Sequence, residues 1–207
     1  MLKIHHLGVS QSDRVVWLME ELGLPYELVW HRRTAEGSMP ASYAALHPAA
    51  TAPVIQDGDR TLAESAVILE YICHTHAGGR MTLGPKDAAY YDYLYWMQLN
   101  NNVLGLFFAK LAQGSQPPTT LSAILKRRED GYARLLDQTL ADRPFLCGDD
   151  LTCADIMVLY GLRSPRMLGG REDTPNVTAY VERLSRRPAY IRAMDLVGPQ
   201  ATPPEGA

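Results

Sequence analysis

Cysteine is scarce: Cys73, Cys147 and Cys153 are the only three in 207 residues, and no two stand in a C-x-x-C pair. An odd count without paired spacing argues against a disulfide framework or a thiolate metal cage, and it fits a reducing cytoplasm. An excess of charge of one sign is lacking too. The formal net charge is only −3, and the densest basic cluster is Lys126-Arg127-Arg128 on a predicted helix. Such a cluster reads as a solvated face, so neither a nucleic-acid nor a membrane surface is expected. Long apolar runs are missing, since no stretch approaches the roughly 20 residues needed to span a bilayer. The opening Met1-Leu2-Lys3-Ile4-His5-His6 has no unbroken apolar region and no small-residue cleavage site, so no signal peptide is read. What is present, 46% apolar and 21% charged residues, makes a globular chain able to bury one large core or two small ones.

The first third changes period repeatedly. Leu2 and Ile4 alternate with polar neighbours and predict a short strand. Val15, Leu18, Met19 and Leu22 then recur at i, i+3, i+4 and i+7, an apolar helical stripe. Ser12 or Asp13 is placed to cap that helix, and Gly23 with Pro25 to end it. Tyr26 to His31 reads as a second strand, and a short helix is placed around 40–46. Pro53-Val54-Ile55-Gln56 and Arg60-Thr61-Leu62-Ala63 flank Asp57-Gly58-Asp59, a hairpin signal, and Ser65 opens another helix. The order β-α-β, crossover, β-β-α predicts an α/β thioredoxin-like domain over residues 1–78. Beyond the Gly- and Pro-bearing segment at 77–85 only helical periodicity remains, which predicts an all-α domain over residues 86–198. Its helices are expected over 86–112 and 121–140, from Thr152, through Val177 to Leu184, and after Pro188. A loop at Gly114-Ser115-Gln116-Pro117-Pro118 separates the first two, Thr152-Cys153-Ala154-Asp155 caps the third as a capping box, and the tail from Gly198 is expected to be loose.

Three segments in this order resemble the cytosolic glutathione transferases over nearly the whole chain. They are Ser10-x-Ser12-x-Arg14-Val15 leading into Trp17 to Tyr26, then Ala52-Pro53-Val54 with Leu62-Ala63-Glu64-Ser65-Ala66-Val67-Ile68, and finally Leu151 to Ile156 with Arg187-Pro188-Ala189-Tyr190. The first segment is similar to serine-type bacterial and fungal members. The resemblance implies the glutathione transferase fold, glutathione as co-substrate, no metal, a cytoplasmic homodimer, and a role in detoxification of apolar electrophiles.

Glutathione requires grips for its charged ends, a partner for its cysteine backbone, and help in ionising its thiol. A cis Ala52–Pro53 bond would leave neighbouring backbone groups, with Thr51 beside them, open to pair with the tripeptide as an added strand does. At the strand-to-helix junction, the Ser65 hydroxyl and free N–H groups suit the γ-glutamyl carboxylate, while Glu64 suits the α-ammonium. The plain alternative makes Ser65 a helix cap and Glu64 a solvated charge. Ser10, between the first strand and first helix, is placed to donate a hydrogen bond to a thiolate. A thiol of pKa near 8.5 needs roughly 2.7 kcal/mol to ionise about two units lower. One charge-assisted hydrogen bond of roughly 1.5–3 kcal/mol plus a helix-terminus contribution of about 0.3–1 kcal/mol is sufficient. Ser12 is the rival for this role, with helix capping or glutathione contact as its other reading.

No cysteine lies between Gly8 and Asp13, which argues against the cysteine-type members and against a glutathione-dependent reductase or isomerase. Many relatives carry Asn-Pro-x-Gly-Lys ahead of the cis-proline segment, where this chain has His47, Ala50 and Thr51. The absent lysine leaves the glycyl carboxylate to His47 or Arg14, and it motivates the alternative of a non-catalytic, regulatory glutathione-binding protein. For the second substrate, Trp96, Leu104 and Phe107 are the residues expected to line an apolar pocket. One of Asn100-Asn101-Asn102 is expected to serve a dimer contact, because Asn is a poor mid-helix residue.

Overall fold

The structure, a computed structural model, describes residues 1–114, 117, 119–163 and 170–205. The expected loop at 114–118 is therefore covered only at Gly114 and Pro117, and the last two residues of the tail lie outside the described residues. The elements run β1 (Lys3–Leu7), α1 (Asp13–Leu22), β2 (Glu27–His31), α2 (Ala41–Ala44), β3 (Val54–Asp57), β4 (Arg60–Ala63), α3 (Ser65–His76), α4 (Tyr90–Gln113), α5 (Thr120–Thr139), α6 (Cys153–Leu162), α7 (Pro175–Ser185) and α8 (Pro188–Val197).

The four strands form one mixed sheet in the order β2-β1-β3-β4. β1 pairs in parallel with β2, His6 opposite Trp30, because α1 supplies the crossover that parallel strands need. It pairs antiparallel with β3, which turns back through Asp57-Gly58-Asp59 into β4. Strand alternation sends neighbouring side chains of β1 to opposite faces. His5 joins His31 (3.0 Å) and Gln56 (3.1 Å), whereas His6 reaches the start of α1. Ile4, Val15, Val16, Leu18, Ile55, Ile68, Leu69 and Ile72 are all fully buried in this first core. Gly23 ends α1 in the left-handed region at φ 65°, as its Cβ-free backbone permits.

The chain divides into two compact units, residues 1–82 with 186–207, and residues 83–185. The expected helical domain ran through residue 198, whereas α8 is part of the first unit. The reason is its packing on α1. Trp17 and Tyr190 meet edge to face with centroids 5.1 Å apart. Arg187 donates two hydrogen bonds to the Glu21 carboxylate at 2.6 and 2.8 Å, and Arg192 donates to Glu20 at 2.7 Å. The tail expected to be loose is held as well, since Arg32 donates to the carbonyls of Pro203 and Pro204.

The second unit comprises α4 to α7 and has its own core. Gly161 of α6 lets α4 approach so closely that an added Cβ would meet Val103 Cγ1 at 3.0 Å. Asp155 organises the entry to α6. Fully buried, it accepts the Thr152 N–H (2.8 Å), the Leu146 N–H (2.9 Å) and the Tyr180 hydroxyl (2.7 Å). The predicted capping box thus also ties α7 and the preceding loop to α6.

Candidate functional site

The loop from β1 to α1 carries a chain of hydrogen-bonded side chains that reaches back to β1. Ser10 Oγ lies 2.7 Å from Ser12 Oγ, and Ser12 Oγ lies 2.7 Å from His6 Nδ1. The Ser12 N–H also points at Ser10 Oγ, at 3.4 Å. His6 and Ser12 are fully buried, and Ser10 is the most accessible of the three at 9%. Ser12 occupies the N-cap position of α1, yet its hydroxyl makes no capping hydrogen bond. It spends its hydrogen bonds on Ser10 and His6 instead, which corrects the reading of Ser12 as a helix cap. The His6 imidazole packs against Trp30, with ring centroids 4.2 Å apart. Burial, then the neighbouring His31 and Arg33, push its pKa down to about 4, so the ring is neutral near pH 7.

The loop is also held from outside. Arg33 donates to the carbonyls of Gly8 (2.7 Å), Val9 (3.2 Å) and Gly37 (3.1 Å). Val9, immediately before Ser10, lies at φ 52°, a conformation that a β-branched residue rarely adopts. Strained backbone next to a buried polar network is the arrangement that functional loops retain.

At the β4–α3 junction the plain reading of Ser65 also fails. Glu64, not Ser65, occupies the N-cap position, at φ 73° and ψ 117°. Ser65 is the first residue of α3, buried, and its hydroxyl accepts from Arg14 Nη1 at 3.2 Å. The same Nη1 donates to Gln11 at 2.6 Å. Arg14 is thus buried and turned toward the start of α3. Glu64 is exposed, and the first turn of α3 carries free N–H groups with the positive end of the helix dipole.

The Ala52–Pro53 peptide bond is cis. Ala52 makes no hydrogen bond among the described residues, and the buried Thr51 hydroxyl has no partner among them either. Ahead of them, His47 takes over a turn: its Nδ1 accepts the Ala49 N–H at 3.2 Å while its carbonyl accepts from Ala50 at 2.9 Å. Ala50 is left-handed at φ 47°, a conformation that glycine adopts without strain.

Trp96, Leu104 and Phe107 lie on α4 in the second unit, Trp96 buried and the other two half-buried. Trp96 lines a cleft of about 340 Å³ with Asp92, Tyr95, Leu135, Thr139 and Arg143, and neither Leu104 nor Phe107 joins it. Asn100 is buried, whereas Asn101 and Asn102 are exposed. Among the described residues there is no cluster of three or more His, Cys, Asp or Glu able to hold a metal, and no helix long and apolar enough to cross a membrane. Reading the sequence missed His6 and Arg33. Strand alternation on β1 was the available signal for His6; nothing local marked Arg33.

Two family models match, the glutathione S-transferase N-terminal domain over residues 10–75 and the glutathione S-transferase C-terminal domain over residues 96–188. The crystal structure of a glutathione S-transferase from Actinobacillus pleuropneumoniae superposes with a TM-score of 0.86 at 30% identity, covering 97% of this chain and 95% of that one. Glutathione S-transferase 3 of Schizosaccharomyces pombe is 26% identical over 95% of this chain and 88% of its own length. A theta class glutathione S-transferase from Xanthomonas axonopodis pv. citri, crystallised with glutathione bound, aligns at TM-score 0.70 and 25% identity over 93% of this chain and 96% of that one. A thioredoxin-like unit with a β2-β1-β3-β4 sheet, a helical unit behind it in sequence, and these matches across both place the chain in the glutathione S-transferase family.

Proposed function

We propose that the chain is a serine-type glutathione transferase in which Ser10 stabilises the thiolate of bound glutathione. The sulfur forms a bond to an electrophilic carbon of an apolar second substrate. A halide, aryloxide or comparable group leaves with its electron pair, and the thiol proton passes to solvent. The observation that carries this reading is the Ser10 hydroxyl in the β1–α1 loop, ahead of the α1 N-terminus and hydrogen-bonded to Ser12. The γ-glutamyl carboxylate fits the Ser65 end of α3 with Arg14 behind it, and the ammonium fits Glu64. Arg14 then belongs to the γ-glutamyl side rather than the glycyl side. The cysteine backbone fits Ala52, with the Thr51 hydroxyl beside it and Pro53 fixing the turn. The non-catalytic alternative rested on the missing lysine, and a missing carboxylate grip weakens affinity rather than thiol ionisation.

A homodimer in the cytoplasm, acting in detoxification, completes the proposal. Exposed apolar side chains on α4 and α5, among them Tyr91, Phe108, Leu111 and Leu121, support self-association. Replacing Ser10 by Ala removes a charge-assisted hydrogen bond of roughly 1.5–3 kcal/mol, so the bound-thiol pKa rises by about one to two units. Thiolate absorbance followed against pH reads that shift directly. An unchanged thiol pKa and unchanged turnover in Ser10→Ala would remove Ser10 from the mechanism.

A further inference from the structure

The Ser10 hydroxyl is useful to a thiolate only if its hydrogen points outward. A serine hydroxyl has one hydrogen, and a neighbouring acceptor competes for it. Here the neighbour is Ser12 Oγ at 2.7 Å, whose own direction depends on His6 at 2.7 Å. If His6 Nδ1 is a bare acceptor, Ser12 donates to it, Ser10 donates to Ser12, and no hydrogen remains for sulfur. If His6 carries its proton on Nδ1, every bond reverses and the Ser10 hydrogen is freed.

The other ring nitrogen decides between these. His6 Nε2 is buried and has no hydrogen-bond partner among the described residues. A buried N–H without an acceptor is rarer and costlier than a lone pair without a donor. The single proton of the neutral ring therefore belongs on Nδ1, and Nε2 holds the lone pair. Ser10 Oγ then accepts from Ser12 Oγ and, more weakly, from the Ser12 N–H, so its own hydrogen is all that it has left to offer.

We infer that His6 is a positioning residue for thiol activation: it donates from Nδ1 to Ser12, Ser12 donates to Ser10, and Ser10 is thereby fixed as a donor to the glutathione thiolate. The inference rests on the Ser10 reading given above. It also assigns Ser12 a part, as the relay between the ring and the activating hydroxyl. Hydrogen bonds in such a chain polarise one another, so the terminal donor is stronger than an isolated serine.

Two measurements test it. Nitrogen-15 spectra of histidine-labelled wild-type protein should show His6 as a neutral Nδ1–H tautomer that does not titrate above about pH 5.5. An Nε2–H tautomer, with that proton on the Trp30 ring, overturns the inference. The second measurement is the bound-thiol pKa in variants. His6→Leu should raise it by about one unit and lower kcat/KM about tenfold near neutral pH, leaving the dissociation constant of S-methylglutathione within about twofold. His6→Asn, whose amide N–H can stand in for Nδ1–H, should keep the thiol pKa within about half a unit of wild type. If Ser10→Ala raises the thiol pKa and folded His6→Leu does not, the His6 role fails and the Ser10 reading stands. If Ser10→Ala has no effect, the Ser10 reading itself fails. Should His6→Leu not fold, the wild-type tautomer and the thiol pKa of His6→Asn decide the question.

Discussion

Acidification should weaken this fold through His6 by an amount that can be worked out in advance. In the folded chain burial, then His31 and Arg33, bring the ring from its ordinary 6.5 down to about 4. The unfolded chain therefore binds a proton first as pH falls. Because the unfolded state then holds more protons, stability drops with falling pH, starting below the unfolded value and levelling off only below the folded one. The whole shift corresponds to about 3 kcal/mol, and about 2 kcal/mol of it is lost between about pH 7 and about pH 5. Asp57, Asp130 and Asp173, held low by hydrogen bonds from Tyr71, Lys126 and Arg171 respectively, weaken the fold on the same side but at lower pH. His31, also lowered by burial and then by His5, weakens the fold in the same direction and is present in both proteins compared. The assay is chemical denaturation at the two pH values for wild type and His6→Asn. The variant should lose about 2 kcal/mol less than wild type on the same acidification. Equal losses would mean that His6 is not held neutral by the fold, and the directional argument for Ser10 would lose its neutral ring.

Two further changes test the scaffold. Ala50 is exposed at φ 47°, so Ala50→Gly removes a left-handed strain of about 1–2 kcal/mol at some cost in chain entropy. A net gain of about 0.5–1 kcal/mol in stability, read from the denaturant midpoint, is expected, and a loss would refute the strain. Asp155→Ala strands the Leu146 and Thr152 N–H groups and the Tyr180 hydroxyl in the core, so the fold should weaken by about 3 kcal/mol or more. A change below about 1 kcal/mol would mean that the capping box is ornamental to α6.

Much of the scaffold was legible because it is written in periodicities. The stripe Val15, Leu18, Met19 and Leu22 gives α1, the Asp-Gly turn gives the β3–β4 hairpin, and Thr152 with Asp155 gives the start of α6. These signals are local, so a single sequence carries them. The membership of α8 was not legible, since it depends on Arg187 finding Glu21, 166 positions earlier. Residue spacing holds no record of such a pair. The same holds for Arg14, whose partner Ser65 stands 51 positions away.

Spacing alone favours Ser10 but leaves Ser12 as its rival. Both are hydroxyls in one loop, both precede the same helix, and both lie within reach of a ligand by any spacing rule. What separates them is a third residue on a different element. His6 leaves β1 on the α1 side because its neighbour His5 leaves on the other, a consequence of the pleat. Once His6 meets Ser12, the relay proposed above occupies that hydroxyl and leaves Ser10 with the hydrogen to give. On that proposal the two serines act as a pair, because thiol activation at Ser10 requires Ser12 to be occupied by His6. A Ser12→Ala variant should consequently resemble a weakened Ser10→Ala, raising the bound-thiol pKa by less, about half a unit to one unit. If Ser12→Ala instead exceeds Ser10→Ala in that measurement, the assignment of the two hydroxyls is the wrong way round.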